Sequence, residues 1–274
     1  MFIQHLILHK GLKALRIVLI SILVSSFLLQ NAIAIEKLVV LNTAVSPILK
    51  EIGMGEAVVG VTFNDETYTN RTKVGSHLSP NVELIKALQP DLMIVGSKRA
   101  FPERLKDRFG TEIYRYDPEN LEDILNHILK LGVLFEKESR SGTLVLKLRK
   151  KLSQFQKPGR LIPVAFEISQ RPLKMAGHYN IVTSMIAAAG GRNIVTIEQK
   201  HVLISPEQLL VNKPELYIYQ NGPMNKNPVP PKDRNYFKRL DTEFWEVDQK
   251  VFTRPGINVF DAVIVLNQKL RSLE

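Results

Sequence analysis

Apolar positions along this chain follow two alternating periods, and the alternation runs through two rounds. Short β-branched runs at residues 37–41, 58–62, 92–96 and 112–116 predict strands, and helical periodicity near 46–52 and 81–88 falls between them. Residues 121–131 predict one helix, broken at Gly132, and a longer helical pattern runs from about 136 to 155. On that second helix Leu144, Leu148, Leu152 and Phe155 share a face, while Lys147, Arg149, Lys150 and Lys151 crowd the rest. At 1.5 Å per residue it would be about 30 Å long, and Lys157-Pro158-Gly159 stops it. The α/β alternation then resumes with a strand at 163–168, a helix at 183–189, a strand at 216–220 and a last helix from about Val259, with Val259, Val263, Leu266 and Leu270 on one side. The expected fold is therefore α/β: two Rossmann-like lobes, 35–118 and 158–274, joined through connecting helices at 119–157 that include one long bridging helix.

The first 34 residues do not fit this scheme. Lys10, Lys13 and Arg16 precede an apolar segment from 17 to 29, followed by Ala32-Ile33-Ala34, which is the layout of a signal peptide cleaved after Ala34. The expected location is the periplasm. Composition is that of a foldable, globular chain, since 45% of the 274 residues are hydrophobic and 23% charged. The total of 37 basic against 27 acidic residues, a net +10, could suggest nucleic acid, but three of the basic residues lie in the leader, so the mature chain carries 34 against 27, or +7. Several more sit on the polar face of the predicted bridging helix without interleaved aromatics, which reads as a solvated surface and not as a nucleic-acid patch. With no cysteine there is no disulfide framework, thiolate metal site, thiol nucleophile or cysteine-linked lipid.

One passage occurs in both lobes. Ser79-Pro80-Asn81-Val82-Glu83 leads through a short helix to Pro90-Asp91-Leu92, and Ser205-Pro206-Glu207 leads the same way to Pro214-Glu215-Leu216. Aligning the second prolines places Glu83 on Glu207, each in the first turn of its helix. A carboxylate there opposes the partial positive charge of the helix N-terminus, which is reason enough for one. A matched pair, one per lobe, also suits a two-fold symmetric partner.

These residues resemble a known family, the periplasmic substrate-binding proteins of ABC importers for ferric siderophores, haem and cobalamin. The resemblance rests on Gly53-Met54-Gly55 before Val58-Val59-Gly60-Val61-Thr62, on Val74-Gly75, on both Ser-Pro passages, on Ala189-Gly190-Gly191-Arg192-Asn193-Ile194 and on Arg254-Pro255-Gly256. It implies ligand held in a cleft between lobes that close only modestly, a monomeric carrier, and an inner-membrane permease dimer with its ATPase as partner. It further implies that Glu83 and Glu207 dock onto permease arginines, where charge-assisted pairs orient an encounter more than they add affinity. The cargo would be a metal complex: haem, a ferric siderophore or a corrinoid, with no enzymatic cofactor.

Cleft-facing residues are expected at the carboxyl ends of strands. That rule selects Asn42-Thr43-Ala44-Val45, residues 64–68 including Tyr68, Ser76-His77, Ser97-Lys98-Arg99, His178-Tyr179-Asn180, Gln220-Asn221 and Arg254. For haem, Tyr68, His77, His178 or Tyr179 would serve as axial ligand and Lys98, Arg99 or Arg254 would meet the propionates. The resemblance puts Ser76 where haem-binding members carry an iron-ligating Tyr. His127 and His201 read as structural or surface residues. A bare metal ion would need His77, His178 and His201 to converge. An enzyme of glycosyltransferase or chelatase type is the other alternative, but no G-x-G-x-x-G follows the first strand, and no P-loop, nucleophile elbow or H-E-x-x-H helix is present.

Overall fold

A computed structural model describes residues 35–274, so the predicted leader lies outside the described residues. The first lobe is a parallel five-stranded sheet of β1 (Leu38–Val40), β2 (Val58–Val61), β3 (Thr72–Lys73), β4 (Leu92–Val95) and β5 (Glu112–Arg115), in the order β3-β2-β1-β4-β5. α1 (Ser46–Glu51) follows β1 and α2 (Val82–Leu88) precedes β4. β1 and β4 are buried along their whole length, as expected of a parallel sheet covered on both faces.

The second lobe has a mixed six-stranded sheet. β6 (Ile162–Ser169) lies at its centre, with β10 (Leu216–Asn221) and then β11 (Glu243–Asp248) in parallel on one side. Its other side is shared: β8 (Gly191–Asn193) runs parallel to its first half, while β7 (Lys174–Ala176) pairs antiparallel with its second half and continues to β9 (His201–Leu203). The β7 and β9 strands, like β3, β8 and β11, are absent from the sequence reading because each is too short or too mixed in composition to show a period.

The connection is a helical hairpin of α3 (Leu121–Leu134) and α4 (Glu138–Ser153). The expected break at Gly132 does not occur there. A Cβ at Gly132 would lie 1.9 Å from Ser141 Oγ, so this glycine allows close packing of α4 on α3, and the chain turns at Glu136, whose φ is +56°. α4 is the bridging element. Near its start Arg140 crosses Gly53 of the first lobe, and near its end Lys151 pairs with Asp261 on the final helix of the second. Leu144, Val145 and Leu148 are buried, whereas Lys147, Arg149 and Lys150 face solvent, and Arg149 pairs with Glu122 on α3. The remaining helices are α5 (Ile181–Ala189), α6 (Pro206–Asn212), α7 (Gln249–Phe252) and α8 (Asn258–Arg271). Gly190 closes α5 at φ +98°, and α8 buries Val259, Val263, Leu266 and Leu270.

Inside the second lobe, Glu167 of β6 is fully buried and forms a two-pronged pair with Arg234, at 2.5 and 3.0 Å. Tyr217 of β10 donates to the same carboxylate at 2.5 Å, and Asn225 donates at 3.2 Å. Arg234 also donates to the Val229 carbonyl at 2.8 Å. The irregular segment from 222 to 240 is thereby tied to the central strand. Removing one member of such a pair leaves a buried charge without its counterion. Arg234→Ala is expected to cost about 3–5 kcal/mol, read as a lower urea midpoint at unchanged slope.

Candidate functional site

A cleft of about 420 Å³ opens where the carboxyl ends of both sheets meet. Every strand of the first sheet delivers a loop to it: Asn42 and Thr43 after β1, Thr62 and Asn64 after β2, His77 after β3, Ser97 after β4 and Asp117 after β5. The second lobe contributes Ile168, Asn180, Lys200, His201, Gln220, Met224, Thr253 and Arg254. This is the crevice that open α/β sheets form at their strand ends.

Several of these polar groups are committed to the walls. Asn42 donates to the Tyr116 carbonyl at 3.1 Å and accepts from Ala44 N at 3.1 Å. Gln220 is fully buried, donates to the Ile168 carbonyl at 2.7 Å and accepts from Thr253 Oγ1 at 2.9 Å, so it holds two second-lobe segments in register. The floor is a contact between lobes: Tyr116, wholly buried, donates to the Pro255 carbonyl at 2.7 Å. A Cβ on Gly256 would come within 2.6 Å of the Ala44 carbonyl, so the two backbones touch there. Two ion pairs cross the rim, Lys200 with Asp117 at 3.2 Å and Lys250 with Glu66. The Lys250 hydrogen bond, followed by the charges of Lys250 and Arg254, holds the Glu66 carboxyl below its ordinary range.

Of the residues expected to meet ligand, Asn42, Thr43, Asn64, His77, Ser97, Asn180, Gln220 and Arg254 line this cleft. Tyr68 does not: its ring is buried, its hydroxyl has no hydrogen-bond partner and lies against Gly55, and burial, then Asp65, pushes it up to about 12. Ser76 Oγ accepts from Ser79 N at 3.0 Å and shapes its own loop. Lys98 is exposed outside the cleft, and Arg99 lines a neighbouring cavity. His178 and Tyr179 stack edge-on at 5.1 Å on the exposed surface. His201, expected to be structural or surface, instead stands in the cleft wall because β9, which carries it, is recruited to the sheet through β7. Asp117, Lys200, Met224, Lys250 and Thr253 are also cleft residues that the strand-end rule passed over, since the strands preceding three of them were not legible. Among the described residues no three His, Asp or Glu side chains are grouped to hold a metal ion, so His77, His178 and His201 do not form one site.

Glu83 and Glu207 occupy equivalent places. Both are exposed in the first turn of a seven-residue helix, capped by Asn81 in α2 and by Ser205 with Gln208 in α6. Both helices end in a left-handed residue, Gln89 at φ 48° and Lys213 at φ 41°, immediately before a proline. The offset is 124 positions (207 less 83), and the same offset relates Leu92, which starts β4, to Leu216, which starts β10. Hydrogen bonds from Ser205 and its own backbone hold the Glu207 carboxyl below its ordinary value.

Two α/β sheets facing each other across a cleft, with a helix packed along both lobes, define a bilobal ligand-binding protein. The chain belongs to the periplasmic binding protein family, whose profile it matches over residues 38–262. Over 252 residues it is 22% identical to the vitamin B12-binding protein of Vibrio parahaemolyticus, spanning 88% of this chain and 91% of that one. Its fold is similar to an ABC transporter substrate-binding protein from Listeria monocytogenes, with a TM-score of 0.76 at 16% identity over 86% of this chain and 99% of that one. It is similar also to a periplasmic haem-binding protein from Pseudomonas aeruginosa, with a TM-score of 0.74 at 18% identity over 87% and 93% of the two chains.

Beneath the cleft, His127 of α3 shares a 2.7 Å hydrogen bond with Tyr114 and packs on the Tyr116 ring at 4.8 Å. Burial, then Lys130, lowers its pKa from an ordinary 6.5. The unfolded chain therefore takes up a proton that the folded chain resists, and stability falls as pH drops below about 6.5 towards the depressed folded value. His127→Gln should flatten that part of the stability-against-pH curve in urea titrations; an unchanged slope would mean that His127 is not the group responsible.

Proposed function

We propose that this protein is the ligand-capturing component of an ABC importer, taking up a metal complex (a ferric siderophore, haem or a corrinoid) in the cleft and delivering it to an inner-membrane permease driven by an ATPase. In this reading 35–118 and 158–274 are the lobes, 119–157 connects them, and the exported chain works as a monomer in the periplasm. The observation that carries it is the pair of exposed glutamates at the same place on two equivalent helices, one per lobe, flanking a single cleft. Two carboxylates so placed match a partner with its own two-fold symmetry, and reversible charge pairing suits a carrier that must release. Relatives named for vitamin B12 and haem binding support a large metal-complexed cargo. For haem, His77 is the candidate axial ligand that faces the cleft, and Arg254 the candidate propionate partner. No bound group is needed for catalysis in this scheme. A bare-metal carrier draws no support from the histidines, and family membership favours transport over the enzyme alternative.

Glu83→Ala combined with Glu207→Ala should abolish ligand uptake in cells while the purified protein binds ligand as before. Loss of binding in that variant would remove the docking role. The cargo is to be identified with Trp245, which meets Phe252 edge-to-face with ring centroids 5.3 Å apart, next to the cleft residues Thr253 and Arg254. Its fluorescence should be quenched by one of haem, cobalamin and a ferric siderophore at micromolar concentration. Silence towards all three would count against the metal-complex reading.

A further inference from the structure

A second cavity of about 380 Å³ adjoins the first, and His201 lines both. Its walls come from both lobes, with Arg99 reaching in from the turn after β4 and Lys174 and His201 standing on the adjacent strands β7 and β9. Its titratable side chains are these three, and no carboxylate is among its lining residues. Asp117, on the neighbouring cleft rim, is already engaged by Lys200. Burial, followed by the charges of Lys200, Lys174 and Arg99, lowers the His201 pKa, so three cations act on one imidazole. A concave surface that gathers like charge concentrates positive potential and gains nothing in stability from doing so.

We propose that this pocket is an oxyanion subsite, in which Arg99, Lys174 and His201 receive a carboxylate or phosphate carried on an arm of the ligand whose body fills the interlobe cleft. The inference rests on the carrier reading above and narrows the cargo to compounds with such an arm. Arg99 offers a planar fork for two oxygens, Lys174 a mobile point charge, and His201 an N–H at the junction of the two cavities. Because Arg99 belongs to one lobe and the other two to the opposite lobe, an anion held among them also draws the lobes together.

The test has two arms on the full chain. Histidine-selective NMR during titration with inorganic phosphate should show a saturable shift of the His201 ring, assigned with His201→Gln, and that shift should vanish in Arg99→Ala/Lys174→Ala. No shift, or an equal shift in the double variant, overturns the subsite. In the second arm, affinities are compared for haem against its dimethyl ester and for cobalamin against cobinamide, which lacks the phosphate. The double variant should weaken the anion-bearing member of the binding pair by about tenfold and leave its counterpart unchanged. Equal affinities in wild type and variant, with phosphate still bound, would show a site for free anions only and overturn the arm. If no member of the panel binds, the carrier reading falls and the arm with it, while the phosphate titration still decides whether the pocket is an oxyanion site.

Discussion

The second lobe is organised around a carboxylate that has no access to water. Glu167 sits in the middle of β6, the strand that every other part of that sheet pairs with directly or through one neighbour, and its charge has to be compensated where it stands. Arg234, Tyr217 and Asn225 do this together, drawing the neighbouring strand and a long irregular segment onto it. The consequence reaches the cleft. Asn225 also donates to the Gln220 carbonyl at 2.9 Å, and Met224 beside it forms part of the cleft lip. An apolar pair of the same size would pack there, but it would not dictate the path of residues 222–234 so narrowly.

In the first lobe the inner strands β1, β2 and β4 are short and apolar, and its buried carboxylate, Asp65, accepts only from nearby groups, the Ser46 hydroxyl and the backbone N–H groups of Thr67 and Tyr68. What the lobes share is the unit of capped helix, left-handed closing residue, proline and buried strand, repeated at a constant offset. Repetition of that unit places one exposed carboxylate on each side of the cleft. The lobes are then held at one spacing by backbone contact at Ala44 and Gly256, by Tyr116 reaching Pro255 and by α4 lying along both. With so much fixed at the floor, the ion pairs Lys200–Asp117 and Lys250–Glu66 and the basic side chain of Arg254 are left at the rim. Exposed ion pairs there contribute little to stability.

Much of this was legible in the chain itself. The apolar runs of β1, β2, β4, β5, β6 and β10 announce themselves by β-branched content, and the helices by their buried stripes. The carboxyl ends of those strands pointed to Asn42, Thr43, Asn64, Ser97 and Gln220 for the same reason: the ends of parallel strands share one edge. Tyr68, Ser76, Lys98, His178 and Tyr179 satisfied the same rule and stand elsewhere. A strand-end position specifies an edge of the sheet, whereas the direction of a side chain depends on the turn that follows, as the Ser76 hydroxyl shows by bonding to Ser79.

Sequence alone determined the two-lobed α/β plan, the bridging helix with its solvated basic face and the matched glutamates, because each is set by local periodicity or by capping chemistry within a few residues. Tertiary structure alone decided that Gly132 is a packing contact and not a break, that β7 and β9 join the sheet, and that His201 and Arg99 meet across two lobes. The first depends on how two helices pack across a turn and the others on contacts between residues far apart in the chain, and no local pattern encodes which side chain will fill the space beside a given one.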